Sequence, residues 1–372
     1  MSTLAVLLKE SWGYVEDRAD DLANNFYARI FLEDPSLREL FPVAMTEQRT
    51  RWVQSLVSII QMVDDPDSLD NYLGALGRAH RRFHVEPQHY GVVGVALMAS
   101  LREYAGDRWS IEYDQAWRDA YDTIATQMLT AAERANRAPA FWHAEVVGHE
   151  RRGRDVGVFT VKPLMPYPFK AGQYAHLETP HHPRMWRTYS IANAPRSDGT
   201  LEFHVRAPSE GWFSGALVRR TAVGDLVRLG PPMGTMTLEY DGDRELVLVA
   251  GGTGLAPIKA LLDQLTQYNG NRWVHLFIGS RDRDDLYDMP ALNRLAARHP
   301  WLSIVTACSD DAGYVGERGP VNEVLERYGP WAEHDFFICG APGMVRATLG
   351  TLSRLEVPAM RIRYDSLSAD RA

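Results

Sequence analysis

Apolar side chains recur every three or four positions through the first third of the chain, which is the repeat of an amphipathic α-helix. The first such stripe runs from Leu4 to Trp12, and others pass through Trp52 and Leu73. Pro66 and Pro87 stand where stripes stop and restart, as expected at helix boundaries. The pattern predicts an all-helical domain over residues 1–136.

The helical pattern lapses in a polar, proline-containing stretch between residues 134 and 140, which we interpret as a domain boundary. After residue 141 the apolar period becomes two, typical of strands with one buried face, and a single helical run lies near 212–220. This pattern predicts a small closed antiparallel β-barrel over 141–238. Its predicted strands are Phe141–Val147, Val156–Val161, Gln173–Glu178, Arg187–Ile191, Leu201–Arg206 and Leu226–Leu229.

A third pattern covers residues 243–372, where apolar strands alternate with helical segments. Such alternation favours an α/β domain with a parallel sheet and helices on both faces. Strands are predicted at Glu245–Ala250, Val274–Ile278, Ile304–Ala307, Phe336–Cys339 and Met360–Tyr364, and helices near 257–267, 290–298, 321–327 and 343–355.

The turn Gly251-Gly252-Thr253-Gly254-Leu255 joins the first of these strands to the first helix. Glycines let the backbone approach a phosphate closely, and the helix N-terminus supplies free N–H groups and a partial positive charge. We therefore expect a nucleotide at this turn.

Composition narrows the choice of partners. The chain has 372 residues, a formal net charge of -8 and two cysteines, Cys308 and Cys339. The charge balance gives no indication of nucleic-acid or membrane-surface binding, and two cysteines are too few for a disulfide framework. We see no signal peptide and no window near the ~20 apolar residues that span a bilayer. A cytoplasmic protein with small-molecule partners is expected.

The segment Arg187-Thr188-Tyr189-Ser190 resembles the flavin signature of the ferredoxin reductase family. The resemblance implies that Arg187 pairs with the FAD pyrophosphate, Tyr189 packs on the isoalloxazine, and Ser190 lies near the reactive flavin edge. A guanidinium suits bidentate phosphate contact, and an aromatic face suits a flat ring. The remaining FAD-binding positions implied by the family are Thr188, Tyr174, Gly211 and Ser214.

The nicotinamide dinucleotide loop of the same family resembles the run from Gly252 to Pro257. Cys339-Gly340 ends a strand at the carboxyl edge of the sheet, where ligands of such folds bind. In the family this cysteine lies beside the nicotinamide, whereas by itself it would be interpreted as a buried structural thiol. Arg281 either meets a 2′-phosphate, caps a helix or faces water, so NADH and NADPH are not distinguished. The implied NAD(P)H-binding residues are Gly252, Thr253, Gly254, Leu255, Ala256, Pro257, Cys339 and Gly340.

A second resemblance lies in the helical domain. A lone histidine on a helix stripe is more often a core residue than a metal ligand, and Tyr27 alone would be interpreted as a core tyrosine. The order Phe26-Tyr27, Leu40-Phe41-Pro42, Gln48-Arg49, His80 and Pro87-Gln-His-Tyr90 nevertheless resembles a bacterial globin. The whole chain is thus similar to the flavohaemoglobin family, in which a globin is fused to a ferredoxin reductase-type FAD and NAD(P)H module.

The resemblance implies a haem b site in the globin domain. His80 would bind the iron through a neutral imidazole nitrogen, and Phe41 would wedge against the haem. Tyr27 and Gln48 would line the distal side, where a hydroxyl and an amide hydrogen-bond dioxygen. Trp52 would project into the same pocket.

A tyrosine and a glutamate near the iron ligand are also implied. In the family they hydrogen-bond beside the proximal histidine and raise its basicity, and Tyr90 and Glu133 are the candidates here. Glu133 is offset by one residue from the family position in an ungapped comparison. His84 and His89 are interpreted as surface histidines.

The C-terminal strand departs from the family pattern. The family usually has a glutamate and then a phenylalanine over the flavin, where this chain has Asp365 and Leu367. Leu367 cannot stack on the flavin as an aromatic ring does, so the flavin is expected to be less shielded.

The implied activity is that of an oxidoreductase which passes electrons from NAD(P)H through FAD to haem and turns nitric oxide and dioxygen into nitrate. Two alternatives stay open. The globin could bind or sense a gas while the reductase serves another acceptor, such as ferric iron or a quinone. The globin fold could instead lack haem and bind a protein partner.

Overall fold

The computed structural model of the protein describes residues 3–208, 211–239, 242–269 and 272–366. The chain divides into two compact units, Met1–Ala140 and Phe141–Ala372, called here the N-terminal and C-terminal units. None of the helices in the described ranges has the length and apolar character needed to cross a membrane.

The regular elements described in the N-terminal unit are all helices, as the three- and four-residue repeat predicts. Helix boundaries are set by local capping: the Asp65 carboxylate accepts a hydrogen bond from the Ser68 N–H at 3.2 Å, and Pro66 occupies the first turn. The α-helices are α1 (Thr3–Trp12), α2 (Ala19–Glu33), α3 (Thr46–Met62), α4 (Pro66–His80), α5 (Pro87–Ala105) and α6 (Ile111–Arg134).

The first part of the C-terminal unit is a six-stranded antiparallel sheet with one helix. The strands are β1 (Trp142–Arg152), β2 (Val156–Pro163), β3 (Tyr174–Glu178), β4 (Arg187–Ser190), β5 (Leu201–Arg206) and β6 (Leu226–Leu229), and the helix is α7 (Trp212–Arg220). They are ordered β4-β3-β6-β1-β2-β5, and a bridge from Ile191 to Phe203 joins the two ends. The predicted barrel is therefore present, and its apolar positions alternate inward.

The second part is a parallel sheet in the order β10-β9-β8-β7-β11-β12. The strands are β7 (Leu246–Gly251), β8 (Val274–Ser280), β9 (Leu302–Cys308), β10 (Glu317–Arg318), β11 (Asp335–Gly340) and β12 (Ile362–Ser366). The helices are α8 (Leu255–Gln267), α9 (Met289–Arg298), α10 (Val321–Tyr328) and α11 (Pro342–Arg354).

Helices cover both faces of this sheet, as predicted. In β7, Leu246 and Leu248 belong to the core cluster formed with α8 and α9. Val247 and Val249 belong to a second cluster with α10 and α11. A strand buried on both faces has a continuous apolar run, which is the pattern of β7.

Buried charged side chains connect the barrel to the parallel-sheet part of the unit. Glu202 of β5 accepts hydrogen bonds from Lys259 Nζ at 2.7 Å and interacts with His204 Nε2 at 3.0 Å. The other ring nitrogen of His204 lies 2.8 Å from the Tyr287 hydroxyl. The hydrogen bond from His204 and the positive charge of Lys259 hold the pKa of Glu202 well below its usual range despite burial.

Candidate cofactor sites

A largely apolar cavity lies among α2 to α6 of the N-terminal unit. Its empty volume is about 1230 Å³, which includes solvent at its mouth. Aliphatic and aromatic side chains dominate the walls, as in pockets for large hydrophobic ligands. The polar side chains in the lining include Tyr27, Gln48, Ser55, His80, His89, Tyr90 and Tyr121.

His80 is the last residue of α4 and faces this cavity. Its Nδ1 lies 2.7 Å from the Leu76 carbonyl oxygen, one turn earlier. Because a carbonyl only accepts, Nδ1 carries the proton and Nε2 keeps its lone pair. Burial lowers the pKa of His80, which favours the neutral imidazole. This is the tautomer and charge state of a metal ligand.

A glycine sets the position of the helix that carries His80. A Cβ atom added to Gly77 would lie 2.2 Å from the Met128 carbonyl oxygen of α6. Only glycine therefore permits this close approach of α4 and α6. Sequence reasoning missed Gly77, although a glycine one turn before a candidate ligand was a usable signal.

Tyr27 and Gln48 form a hydrogen-bonded pair in the cavity wall. The Gln48 side-chain amide donates to the Tyr27 hydroxyl over 3.1 Å. Burial raises the pKa of Tyr27, so the phenol stays protonated at neutral pH. Phe41 packs edge-on to Tyr27 with ring centroids 5.4 Å apart, and Trp52 lines the same cavity, stacked on Phe26 at 4.2 Å. The structure thus brings together four of the residues expected here.

Tyr90 also lines the cavity, in the first turn of α5. Its backbone carbonyl accepts a hydrogen bond from the Tyr121 hydroxyl at 2.6 Å. A Cβ atom on Gly94 would lie 2.6 Å from the Tyr121 ring, so this glycine makes room for that contact. Tyr121 is a further lining residue, which the sequence did not assign to the site.

Other predicted residues lie apart from this group. Glu133 is exposed in the last turn of α6 and is not part of the lining. His84 is exposed, as expected. The surface interpretation was wrong for His89, which is partly buried and lines the cavity, and whose Nδ1 accepts a capping hydrogen bond from the Glu86 N–H at 3.0 Å.

In the barrel, a concentration of positive charge surrounds the start of α7. Arg187 is buried, and its guanidinium carbon lies 5.4 Å from the ring centre of Phe213. Gly211 caps this helix, whose first turn contains Ser214. The free N–H groups of the helix and the guanidinium therefore lie together, as a pyrophosphate requires.

His182 is a further member of this group that sequence reasoning missed. Its ring lies 4.6 Å from that of Trp212, and its buried Nε2 has no hydrogen-bond partner among the described residues. Burial and nearby Arg220 lower the pKa of His182. A buried donor or acceptor without a partner is costly, so an anionic group is expected beside it.

The remaining flavin candidates lie on β3 and β4. Tyr174 is directly opposite Ser190 in the register of these antiparallel strands. Thr188 lies on the same face, with its hydroxyl 3.0 Å from His176 Nδ1. Arg187 and Tyr189 alternate to the other face, where Tyr189 packs against the barrel core.

The glycine turn has the geometry of a nucleotide loop. Gly252 has φ 55°, a left-handed conformation that favours glycine. A Cβ atom on Gly254 would lie 2.3 Å from the Cys339 carbonyl oxygen, so the turn passes directly over the end of β11. Leu255, Ala256 and Pro257 form the buried first turn of α8. The turn lies at the carboxyl ends of the parallel strands, where ligands of such folds bind.

A cavity of about 1310 Å³, open solvent included, adjoins this turn. Gly252 and Thr253 line it together with Arg281 at the end of β8. Cys339 is fully buried in the core, and its neighbour Gly340 makes room for the side chain of Met344. Asp365 pairs with Cys339 in the β11–β12 register, and Leu367 lies outside the described residues.

Three known protein families match successive parts of this chain. The globin family matches residues 24–128, the oxidoreductase FAD-binding domain 143–238, and the oxidoreductase NAD-binding domain 248–349. A flavohaemoprotein from Bordetella pertussis is 28% identical over 389 residues, covering 96% of each chain. The chain belongs to the flavohaemoglobin family.

Solved structures of this family share the fold. The flavohaemoglobin of Malassezia yamatoensis, with bound FAD and haem, has a TM-score of 0.78 at 19% identity and covers 99% of both chains. The FAD/NAD-binding domain of a nitric oxide dioxygenase from Vibrio cholerae has a TM-score of 0.56 at 22% identity. It covers 61% of this chain and 98% of that one.

As a member of the flavohaemoglobin family, the protein is an oxidoreductase that uses haem, FAD and NAD(P)H. Its residues fit all three groups. The apolar cavity with a neutral imidazole fits haem, the unpaired His182 nitrogen beside Arg187 fits a pyrophosphate, and the Gly254 turn fits a dinucleotide.

Proposed function

We propose that this protein converts nitric oxide and dioxygen to nitrate with electrons from NAD(P)H. When bound, the cofactors supply hydride transfer to FAD, single-electron transfer to haem, and an iron centre for the two gases. The observation that carries the proposal is the Tyr27–Gln48 hydrogen bond in the wall of the cavity that also contains His80.

His80 is proposed as the iron ligand. Its Nδ1–H donates to the Leu76 carbonyl, which fixes the ring and increases the electron density on Nε2. A more basic ligand favours activation of dioxygen over simple reversible binding. Tyr90 supports the same wall through the Tyr121 hydrogen bond to its carbonyl.

Tyr27 is proposed to orient the gas molecule. Its hydroxyl oxygen accepts from Gln48, so its proton is available for donation into the cavity. The apolar walls exclude water that would compete for this proton, and a hydrogen bond is stronger in such surroundings. Phe41 and Trp52 hold the Tyr27 ring in place by edge contacts at 5.4 Å and 6.3 Å.

The C-terminal unit is proposed to deliver the electrons. Arg187, His182 and the start of α7 would bind the FAD pyrophosphate, and Tyr174, Thr188, Tyr189 and Ser190 would surround the flavin. The turn from Gly252 to Pro257 would bind NAD(P)H. The buried thiol of Cys339 is proposed to form part of the wall behind the nicotinamide.

The test is nitric oxide consumption by the full protein in air with NADH, with nitrate measured at the end. We expect one nitrate for each nitric oxide consumed, and loss of the reaction in His80→Ala. If the haem is reduced by NADH and binds dioxygen while nitric oxide is consumed no faster than by the His80→Ala protein, the dioxygenase proposal is wrong. The chain would then be a gas-binding reductase for another acceptor.

A further inference from the structure

The parallel sheet has a second edge that the nucleotide does not use. At the amino ends of its strands, β8, β7 and β11 lie side by side. Glu245 immediately precedes β7, His275 is the second residue of β8, and His334 immediately precedes β11. The hydrogen bond from the Asp335 N–H to the Glu245 carbonyl at 3.0 Å fixes the spacing of two of these segments.

The three side chains converge on one point. Glu245 Oε2 lies 3.5 Å from His275 Nε2 and 3.3 Å from His334 Nε2. One potential ligand atom from each residue falls within 4.8 Å of the others. A tetrahedral zinc ion with ligand bonds of 2.0–2.1 Å holds neighbouring ligand atoms about 3.3 Å apart. The observed Glu245–histidine separations match this distance between neighbouring ligand atoms and exceed the usual 2.7–3.2 Å of an N–H···O hydrogen bond.

Surrounding residues contact both imidazoles, and a hydrogen bond to the second ring nitrogen fixes His275, whereas Nδ1 of His334 is buried with no hydrogen-bond partner among the described residues. The other nitrogen of His275, Nδ1, lies 2.9 Å from the Ser303 hydroxyl on β9. The indole of Trp331 packs against His275 and His334, with ring centroids 5.6 Å and 5.0 Å away. The indole is itself fixed by a hydrogen bond from its N–H to the Leu325 carbonyl at 2.7 Å. An imidazole fixed through its second nitrogen is typical of metal sites.

We propose that Glu245, His275 and His334 bind one Zn²⁺ ion at the amino edge of the sheet. Two imidazoles and a carboxylate suit zinc among the divalent ions, and the side chains are partly accessible, so an ion can enter from solvent. A bound ion would link the first residues of three neighbouring strands. Because the nucleotide turn lies at the opposite ends of the same strands, the ion has a structural role and takes no part in electron transfer.

The experiment is equilibrium dialysis of the full protein, with haem and FAD bound, against micromolar zinc chloride after treatment with a chelator. Zinc and iron are then measured by elemental analysis, so that haem iron counts the chains. We expect one zinc ion per chain in the wild type. Glu245→Gln, His275→Ala and His334→Ala should each lower the zinc affinity by at least about tenfold, because a change to a residue behind a ligand already causes a loss of that size. Ser303→Ala should weaken binding by about tenfold and leave the ligands in place.

The matched control is His299→Ala. His299 lies in the same domain, is partly buried and packs on Trp301 at 5.1 Å, but is not part of the cluster. It should keep full zinc binding, and at the same zinc concentration the thermal unfolding temperature should rise more in the wild type and in this control than in the other variants. NADH-driven dye reduction reports folding of each variant and should be unchanged. Zinc binding that is absent from the wild type, or equal in wild type and the His275→Ala/His334→Ala double variant, would overturn the proposal.

Discussion

The haem cavity of the N-terminal unit and the nucleotide cavity of the C-terminal unit are built in opposite ways. In the first, the proposed function depends on side chains from separate helices: Tyr27 from α2, Gln48 from α3 and His80 from α4. In the second, it is proposed to depend on the backbone of one short turn, where Gly252 has a left-handed φ and Gly254 passes close to the Cys339 carbonyl oxygen.

This difference decides which substitutions do damage. Removing a side chain should disable the haem cavity and leave the reductase intact. Adding a side chain should disable the nucleotide turn and leave the haem in place.

Replacing His80 by Ala should remove haem almost completely, because no other side chain is expected to ligate the iron. The measurement is the Soret absorbance per chain, with flavin content and NADH-driven dye reduction as the test of the other unit. The control is His84→Ala, an exposed histidine four positions further on. Full haem retention by the His80 variant would refute the ligand assignment.

Replacing Gly254 by Ala should raise KM for NADH at least tenfold. The added Cβ would lie 2.3 Å from the Cys339 carbonyl oxygen, so the turn must move. Haem and FAD content should stay unchanged. Gly343→Ala is the matched control, since Gly343 lines the same cavity and an added Cβ meets nothing within 4 Å. Equal KM values in the two variants would break the contrast between backbone and side-chain sites.

Replacing Tyr27 by Phe should increase the dioxygen dissociation rate about five- to tenfold, the effect of losing roughly 1 kcal/mol of hydrogen bonding. Flash photolysis of the reduced protein measures this rate. Because Gln48 acts through the Tyr27 hydroxyl, the two substitutions should not be independent. The loss of binding free energy in the double variant Tyr27→Phe/Gln48→Leu should be smaller than the sum of the two single losses. An unchanged rate in Tyr27→Phe would remove the hydroxyl from the proposed site.

The smallest effect is expected at Arg281, an exposed side chain in the nucleotide cavity wall. If it reads a 2′-phosphate, Arg281→Ala should raise KM for NADPH by up to about fivefold, the range for an exposed ion pair, and leave KM for NADH unchanged. Steady-state dye reduction with each nucleotide measures both constants. A parallel change with both nucleotides would assign Arg281 to another role.

The same contrast explains what the sequence predicted. The glycine turn and the Arg187–Ser190 segment are each one continuous stretch of sequence, so their chemistry could be inferred from the sequence alone. The central strands of the parallel sheet were also predicted closely because β7 and its neighbours have continuous apolar runs, whereas β1 continues to Arg152, beyond its predicted end at Val147. β10 was missed, since a strand of two residues has no period to detect.

Contacts that arise only on folding could not be inferred. His182 contacts Trp212 at the start of α7 although the two residues are distant in sequence, and Gly77 matters because α6 passes against it. The cluster of Glu245, His275 and His334 forms because three strand starts lie side by side in the sheet, although they are far apart in sequence. The predicted proximal role of Glu133 rested on alignment alone, and its side chain is exposed.

The central claim is that electrons enter at the backbone-built site and reach the haem held by His80. Rapid mixing of the ferric protein with NADH in the absence of oxygen tests it directly, with flavin and Soret absorbance followed together. We predict that flavin bleaching is followed by conversion of the haem to the ferrous form within seconds. Flavin that is reduced while the haem stays ferric for minutes would contradict the account.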